Sequence, residues 1–339
     1  MKTIDLENHF ATELWMDALR NNKGYPRVEE GRGICYFADS CIPIGATGVR
    51  EKLLDLGEGR LGLMDATGID FAVLSLTAPG AEQFEPALGT KLAKDANDIV
   101  AEACAKNPGR LGAFATIAPK DVDSAVRELE RCVKELGFAG WNTHSNYGDS
   151  RLDEKRYWPL LAKAEELDVS IYLHPTVPMI PELRAFGIAL SGPNFGFGTD
   201  AMFTFLRMIT RGVFDAFPKL KIILGHFGEA LPFLLNRVDC AYRQGWPEPN
   251  PDIGPGSTHP SSYYLLRNMW VTTSGNYLPA AYHCTRDSIG TEKILLATDH
   301  PYERIGEGVE FINDLNLPER EKALVCEENA ASLGFAPRR

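Results

Sequence analysis

Cysteine pairing signals are missing from this chain. Its seven cysteines, Cys35, Cys41, Cys104, Cys132, Cys240, Cys284 and Cys326, are odd in number and contain no Cys-x-x-Cys. That pattern fits reduced thiols in a cytoplasmic protein far better than a disulfide framework or a structural zinc site. No uncharged apolar run reaches the length of a membrane span. The amino terminus lacks a basic segment followed by an apolar run, so no secretory signal is expected. Positive charge is also scarce: the net charge is −11, which argues against nucleic acid and anionic membrane as partners. A small anionic substrate stays open, because one or two placed arginines outweigh a diffuse field. Glu7 to Leu14 holds no glycine, so no phosphate loop follows the first strand-like run, and no Walker-type sequence occurs.

What is present is a large apolar reserve, 44% of 339 residues, with an ordinary 24% charged. Short, nearly all-apolar runs recur with helical stretches between them. The strand-like runs are Ile4–Phe10, Phe71–Leu76, Leu111–Ala118, Ala139–His144, Ser170–His174, Lys221–Gly225, Met269–Thr273 and Lys293–Thr298. Helical spacing marks Ala11–Arg20, Val49–Ala66, Lys91–Ala105, Ser124–Leu136, Trp158–Glu166, Thr199–Ala216, Glu229–Gln244 and Pro279–Ile289, with terminal helices at Gly306–Leu315 and Pro318–Leu333. Buried strands alternating with helices form a parallel sheet, and eight such units predict an α/β fold of the (β/α)8 TIM-barrel type. No linker divides the chain, so residues 1–339 read as one domain. Asn21–Gly48 has no sustained periodicity and is expected to be an insertion after the first strand acting as lid or binding loop.

In such a barrel the site forms at the carboxyl ends of the strands. The first strand alternates Ile4, Leu6 and Asn8 with Asp5, Glu7 and His9, placing Glu7 and His9 on one face. The fifth ends at His174, the sixth runs into His226 and Glu229, and the eighth ends at Asp299-His300. The fourth ends at His144, a candidate for the pocket wall. A mixed set of Glu, His, His and Asp suits one divalent ion such as Mn or Zn.

The stretches Glu7-Asn8-His9-Phe10, Leu173-His174-Pro175, Gly225-His226-Phe227-Gly228-Glu229 and Thr298-Asp299-His300-Pro301-Tyr302 carry a family likeness. So do Arg60 to Asp70 and Thr272-Thr273-Ser274-Gly275-Asn276. Together they resemble the amidohydrolase superfamily over nearly the whole chain. Within it they resemble the metal-dependent nonoxidative decarboxylases of gamma-resorcylate, 2,3-dihydroxybenzoate and 5-carboxyvanillate. Hydrolytic members commonly begin His-x-His and carry a lysine on the fourth strand; this chain begins Glu-x-His, and Gly140 to His144 has no lysine.

The resemblance implies one divalent metal ion per subunit held by Glu7, His9, His174 and Asp299, with the direct ligation of His9 left open. It implies Asp299 as the acid that protonates the ring carbon, His226 as helper or alternative, and Glu229 as the holder of the His226 ring. Arg237 and Tyr302 would position the carboxylate, Arg237 in some members from a neighbouring subunit. Phe10, Phe195 and Phe197 are candidates for sandwiching an aromatic ring. The partner is then a small aromatic carboxylate, and the family's habit implies a homodimer or homotetramer. The competing expectation is a metal-dependent hydrolase of a lactone or C–C bond in aromatic catabolism.

Overall fold

The computed structural model describes residues 2–43, 48–245 and 256–337. Eleven strands occur among them: β1 (Ile4–Phe10), β2 (Arg27–Glu29), β3 (Gly33–Phe37), β4 (Ser40–Ile42), β5 (Phe71–Leu76), β6 (Leu111–Thr116), β7 (Gly140–His144), β8 (Ser170–His174), β9 (Lys221–Leu224), β10 (Met269–Thr272) and β11 (Ile294–Leu295). Eight of them form one sheet in the order β1, β5, β6, β7, β8, β9, β10, β11, and every neighbouring pair is parallel. The last strand returns to the first: Leu6 N donates to Leu296 O at 3.0 Å, and His9 N donates to His300 O at 2.7 Å. This is the TIM barrel the alternation predicts.

Ile4, Leu6, Val73, Phe114, Tyr172, Ile223 and Leu295 form one buried cluster contributed from around the barrel, with Phe335 packed into it. They plug the lumen below the site. A larger cluster lies between the sheet and the surrounding helices. The helix Trp158–Glu166 and the helix Pro279–Ile289 have the bounds the apolar spacing gives.

Several expectations are corrected. The simple alternation along β1 breaks at a bulge, where Leu6 and Glu7 together face the single residue Val73. Leu6 therefore fills the lumen, and Glu7 still turns inward beside it, the kind of re-aiming that bulges produce near active sites. Asp5 accepts the Glu7 backbone N–H at 3.2 Å, so the bulge leaves that donor satisfied. The region after the first strand is not without structure: β2, β3 and β4 form an antiparallel sheet within it. Part of it, residues 44–47, lies outside the described residues.

Cys35 and Cys41 stand directly opposite each other across β3 and β4 and are joined in a disulfide, contrary to the reading of all seven as free thiols. Pairing set by strand register does not show in Cys-x-x-Cys spacing. The expected helix Glu229–Gln244 is broken into Leu231–Leu234 and Cys240–Arg243. A run of left-handed residues from His226 to Ala230 delays the start of the first piece to Leu231, and residues 235–239 form turns between the two pieces. The helix leading into β10 is instead Ser261–Asn268.

Candidate active site

Glu7, His9, His174 and Asp299 meet at the mouth of the barrel, with one donor atom from each within 4.8 Å of the others. His174 Nε2 lies 3.4 Å from Glu7 Oε1, and His9 Nε2 lies 3.9 Å from the same oxygen. His9 Nε2 is also 3.0 Å from Asp299 Oδ1, without hydrogen-bond alignment. Glu7 Oε1 and His9 Nε2 are thus buried polar atoms lacking a hydrogen bond among the described residues. Buried polar atoms are normally paired, and those left over need an explanation. A divalent cation fits: two carboxylates and two imidazoles converge, and their free atoms face a common point.

The other side-chain atom of Glu7, His9 and His174 is held. Ser274 Oγ and Thr272 Oγ1 donate to Glu7 Oε2, the latter at 3.3 Å. Ser75 Oγ lies 3.1 Å from His9 Nδ1. His174 Nδ1 lies 2.7 Å from the Pro175 carbonyl, which takes its proton and leaves Nε2 bare toward the cluster. Behind these, Asp5 accepts from Asn8 Nδ2 at 2.8 Å and from Thr298 Oγ1 at 2.6 Å, tying the first strand to the residue before Asp299. Arg60, buried, reaches the His9 carbonyl at 2.8 Å and also bonds the Asn8 side chain.

His226 and Glu229 form the second half of the site. His226 Nδ1 is 2.7 Å from Glu229 Oε1, and His226 Nε2 is 4.0 Å from Asp299 Oδ2. Asp299, His226 and Glu229 all have positive φ, of 56°, 50° and 52°. Left-handed backbone at non-glycine residues is strained and gathers at functional sites. Gly275 makes the ring's seat: a Cβ there would lie 2.6 Å from His226 Cδ2. Gly198 does the same for the Glu229 carboxylate.

Burial pushes the His226 imidazolium down, but the carboxylates of Glu229, Asp299 and Glu7 outweigh it, and its pKa ends well above the usual range. Burial alone would raise Asp299, yet the imidazoles of His226 and His9 hold it below the usual carboxylate range. Glu7 goes the other way: burial first, then the Asp299 charge, raises it. His174 is pushed well below its usual value, by burial and then by the charges of neighbouring histidines. Without metal, these shifts favour an ionised Asp299 facing a protonated His226 held by Glu229.

A cavity of about 660 Å³ opens onto His174, His226, Glu229 and Asp299. Phe195, Phe197, Met202 and Ile42 form its apolar walls, with Tyr36 and Tyr302 near the cluster. Thr77 and Tyr302 hydroxyls bond at 2.5 Å, and the Tyr302 ring sits 5.7 Å from that of His9. A smaller cavity of about 260 Å³, lined by small residues such as Gly112 and Ala139, lies at the amino ends of the strands, away from this chemistry.

Phe195 and Phe197 line the cavity, whereas Phe10 is core. His144 is buried beside the His174 ring, 5.3 Å between centroids, but does not line the cavity. Its Nδ1 lies 3.1 Å from Glu82, a buried residue absent from the sequence-based set. Arg237 is exposed and outside the lining of its own chain's cavity. Asp5, Ser75 and Glu82 were also not among the candidates; Arg60, Thr272 and Ser274 sat inside motifs whose individual residues had no assigned role.

A closed parallel barrel with a mixed nitrogen and oxygen donor set at its carboxyl mouth defines a metal-dependent enzyme class. The chain belongs to the amidohydrolase family, whose model matches residues 4–333. It is 35% identical over 339 residues to the gamma-resorcylate decarboxylase of Polaromonas sp. (strain JS666), covering 97% of each chain. A solved Polaromonas dihydroxybenzoic acid decarboxylase, with bound manganese and the inhibitor 2-nitroresorcinol, is similar at TM-score 0.83 and 33% identity, covering 100% of this chain and 98% of that one. A 5-carboxyvanillate decarboxylase from Novosphingobium aromaticivorans, with bound manganese and 3-methoxy-4-hydroxy-5-nitrobenzoic acid, is similar at TM-score 0.88 and 32% identity, covering 98% and 96%.

Proposed function

We propose that this protein is a metal-dependent carboxy-lyase that removes CO2 from a hydroxylated benzoate without oxidation. The observation that carries the proposal is Asp299, which faces the donor cluster with one oxygen and His226 with the other. Glu7, His9, His174 and Asp299 would hold one Mn or Zn ion. When bound there, the ion supplies a Lewis acid that favours an ionised phenol next to a carboxylate.

Breaking the ring–carboxylate bond needs a proton on the carbon that bears the carboxylate. Asp299, ionised at rest, accepts the phenol proton as substrate enters. It then delivers that proton to the ring carbon, giving a dearomatised keto species. The C–C bond breaks, its electron pair restores the ring, and CO2 leaves. His226 places a positive charge beside the departing carboxylate, and Glu229 keeps its ring oriented. Tyr302 lines the same cavity and has its hydroxyl fixed by Thr77. Phe195 and Phe197 supply flat apolar walls. Arg237, exposed in its own chain, fits a carboxylate-positioning role across an interface of a homo-oligomer.

The test is to incubate Mn- or Zn-loaded protein with a panel of 2-hydroxybenzoates while following CO2 and ultraviolet spectra. Decarboxylation of at least one member is expected. Silence across the panel, with hydrolysis of a lactone instead, would replace this reading by the hydrolase.

Gly275→Ala gives a second check. The added methyl group would push on His226 in a backbone with φ of +66°. A displacement near 1 Å at a catalytic group costs about 100-fold, so kcat/KM should fall by about that factor. Circular dichroism should still report a folded barrel; unchanged kcat/KM would remove His226's position from the argument.

A further inference from the structure

We propose that the Cys35–Cys41 disulfide is a redox switch on the barrel-mouth cavity: a dithiol opens it, and opening it weakens the binding of an aromatic ligand. The switch lies outside the donor cluster and does not depend on which reaction the site performs. Only its ligand class, a small hydroxylated aromatic, rests on the decarboxylase reading.

Each bridged cysteine is next in sequence to a cavity residue. Tyr36 follows Cys35, Ile42 follows Cys41, and both line the cavity. The Tyr36 ring stands 6.3 Å from that of Phe197 on the same wall. The sheet that carries the pair is small: β2 and β4 have three residues each and β3 has five. Strands this short hold few ladder bonds, and a small hairpin is marginal without further ties. The cross-link, set by a register that places Cys35 opposite Cys41, is therefore a large share of what fixes β3 to β4. The same hairpin braces a second part of the wall. The buried hydroxyls of Ser40 and Ser191 bond at 2.8 Å, and Arg184 lies over the Phe37 ring, its guanidinium carbon 4.0 Å from the centroid. Ser191 stands just ahead of Asn194, Phe195 and Phe197 in the chain, all of which line the cavity.

Cys35 is fully buried and Cys41 half-buried, so an incoming thiolate reaches the Cys41 sulfur first. Attack there forms a mixed disulfide and breaks the Cys35–Cys41 bond, whose electron pair stays on the Cys35 sulfur and takes up a proton. The second thiol of the reagent then displaces Cys41 and closes a cyclic disulfide. The dithiol loses two electrons, the protein gains two, and the two thiol protons end on Cys35 and Cys41. Without the bridge, Tyr36 and Ile42 must be ordered as the ligand binds rather than beforehand, which is the cost that preorganisation removes.

The test compares Mn-loaded protein before and after dithiothreitol, with the double variant Cys35→Ser/Cys41→Ser treated alongside. Mn is chosen because the freed thiols, close to the Glu29 carboxylate, would attract Zn. Thiol titration of the unfolded protein defines the two states, with two more thiols after reduction than before. KM for a 2-hydroxybenzoate that the protein decarboxylates should rise about tenfold on reduction, the scale of ordering two wall side chains anew. kcat should stay within about twofold, since ground state and transition state lose binding alike. The double variant should show the raised KM from the start and ignore dithiothreitol. An unchanged KM in reduced wild type, or an equal thiol count before and after treatment, overturns the switch. So does a response that persists in the double variant, because the reagent then acts on the metal or on another cysteine. Should the double variant not fold, the wild-type cycle decides: KM must fall back when the thiols are reoxidised, and a KM that stays raised overturns the proposal.

If no benzoate is decarboxylated, that failure belongs to the reading of the reaction. Calorimetry with 2-nitroresorcinol then reads the switch by itself. A Kd about tenfold weaker after reduction, again the scale of two side chains to be ordered, supports the inference; an equal Kd, or no binding in either state, overturns it.

Discussion

Asp299→Asn is expected to lower kcat by about 1,000-fold or more, within the range of about 100- to 10,000-fold attributed to a positioned general acid. The substitution keeps the shape of the side chain and removes its charge and its capacity to carry the transferred proton. Both neighbours feel the change: His226 loses one of the carboxylates that raise its pKa, and His9 loses the oxygen at 3.0 Å. Metal content by elemental analysis separates two routes to the loss. Retained metal with lost turnover places the defect in proton transfer, whereas lost metal places it in ligation. Turnover within tenfold of wild type would remove Asp299 from both roles. The left-handed backbone at Asp299 is kept in this variant, since asparagine tolerates that region at least as well as aspartate.

The barrel was legible because parallel strands covered on both sides must be apolar throughout, and β5, β8 and β9 announce themselves as short runs bounded by polar residues. The convergence of Glu7, His174 and Asp299 followed from that topology together with the motifs at the strand ends. Other parts depended on geometry that no local period carries. Two-residue alternation put Leu6 and Glu7 on opposite faces; the bulge puts both inside. Thr272 and Ser274 are far from Glu7 in sequence, and only barrel closure brings their hydroxyls to its carboxylate. Glu82 lies in a loop after β5 and meets His144 only once β7 is placed beside its neighbours. The left-handed backbone from His226 to Ala230 and the turns at 235–239, where Arg237 is exposed, carry no local signal in the spacing of apolar residues, so the expected helix from Glu229 to Gln244 was read straight through them. Cys35 and Cys41 were misjudged for a similar reason, because register rather than spacing sets them opposite.

Glu7→Gln is expected to move thermal stability in opposite directions with and without metal. In metal-free wild type the Glu7 carboxyl is almost completely buried, and burial followed by the Asp299 charge raises its pKa above the unfolded value. A carboxyl raised in this way binds its proton more tightly in the folded chain. Its ionised form therefore costs stability, and the cost grows as pH rises through the unfolded value and is complete above the folded one. Glutamine removes that cost while leaving a side-chain oxygen for Ser274 and Thr272. Metal-stripped Glu7→Gln should thus melt about 1–2 °C higher than stripped wild type at pH 8, for a gain on the order of 1 kcal/mol. The difference should shrink as pH falls toward 4. With metal the order reverses. Saturating Mn at 100 times its Kd stabilises wild type by about 2.7 kcal/mol, whereas the variant offers one donor fewer with a full negative charge lost. Outer partners of metal ligands alone are worth about 10- to 100-fold in affinity, so loss of this direct donor should cost at least that much. Melting curves of chelator-treated protein, with and without added Mn or Zn, read both signs in one experiment. An equal metal-induced rise in the two proteins would show that the ion does not rest on Glu7. A lower melting point for the stripped variant would show that the buried carboxylate is not the liability its surroundings imply.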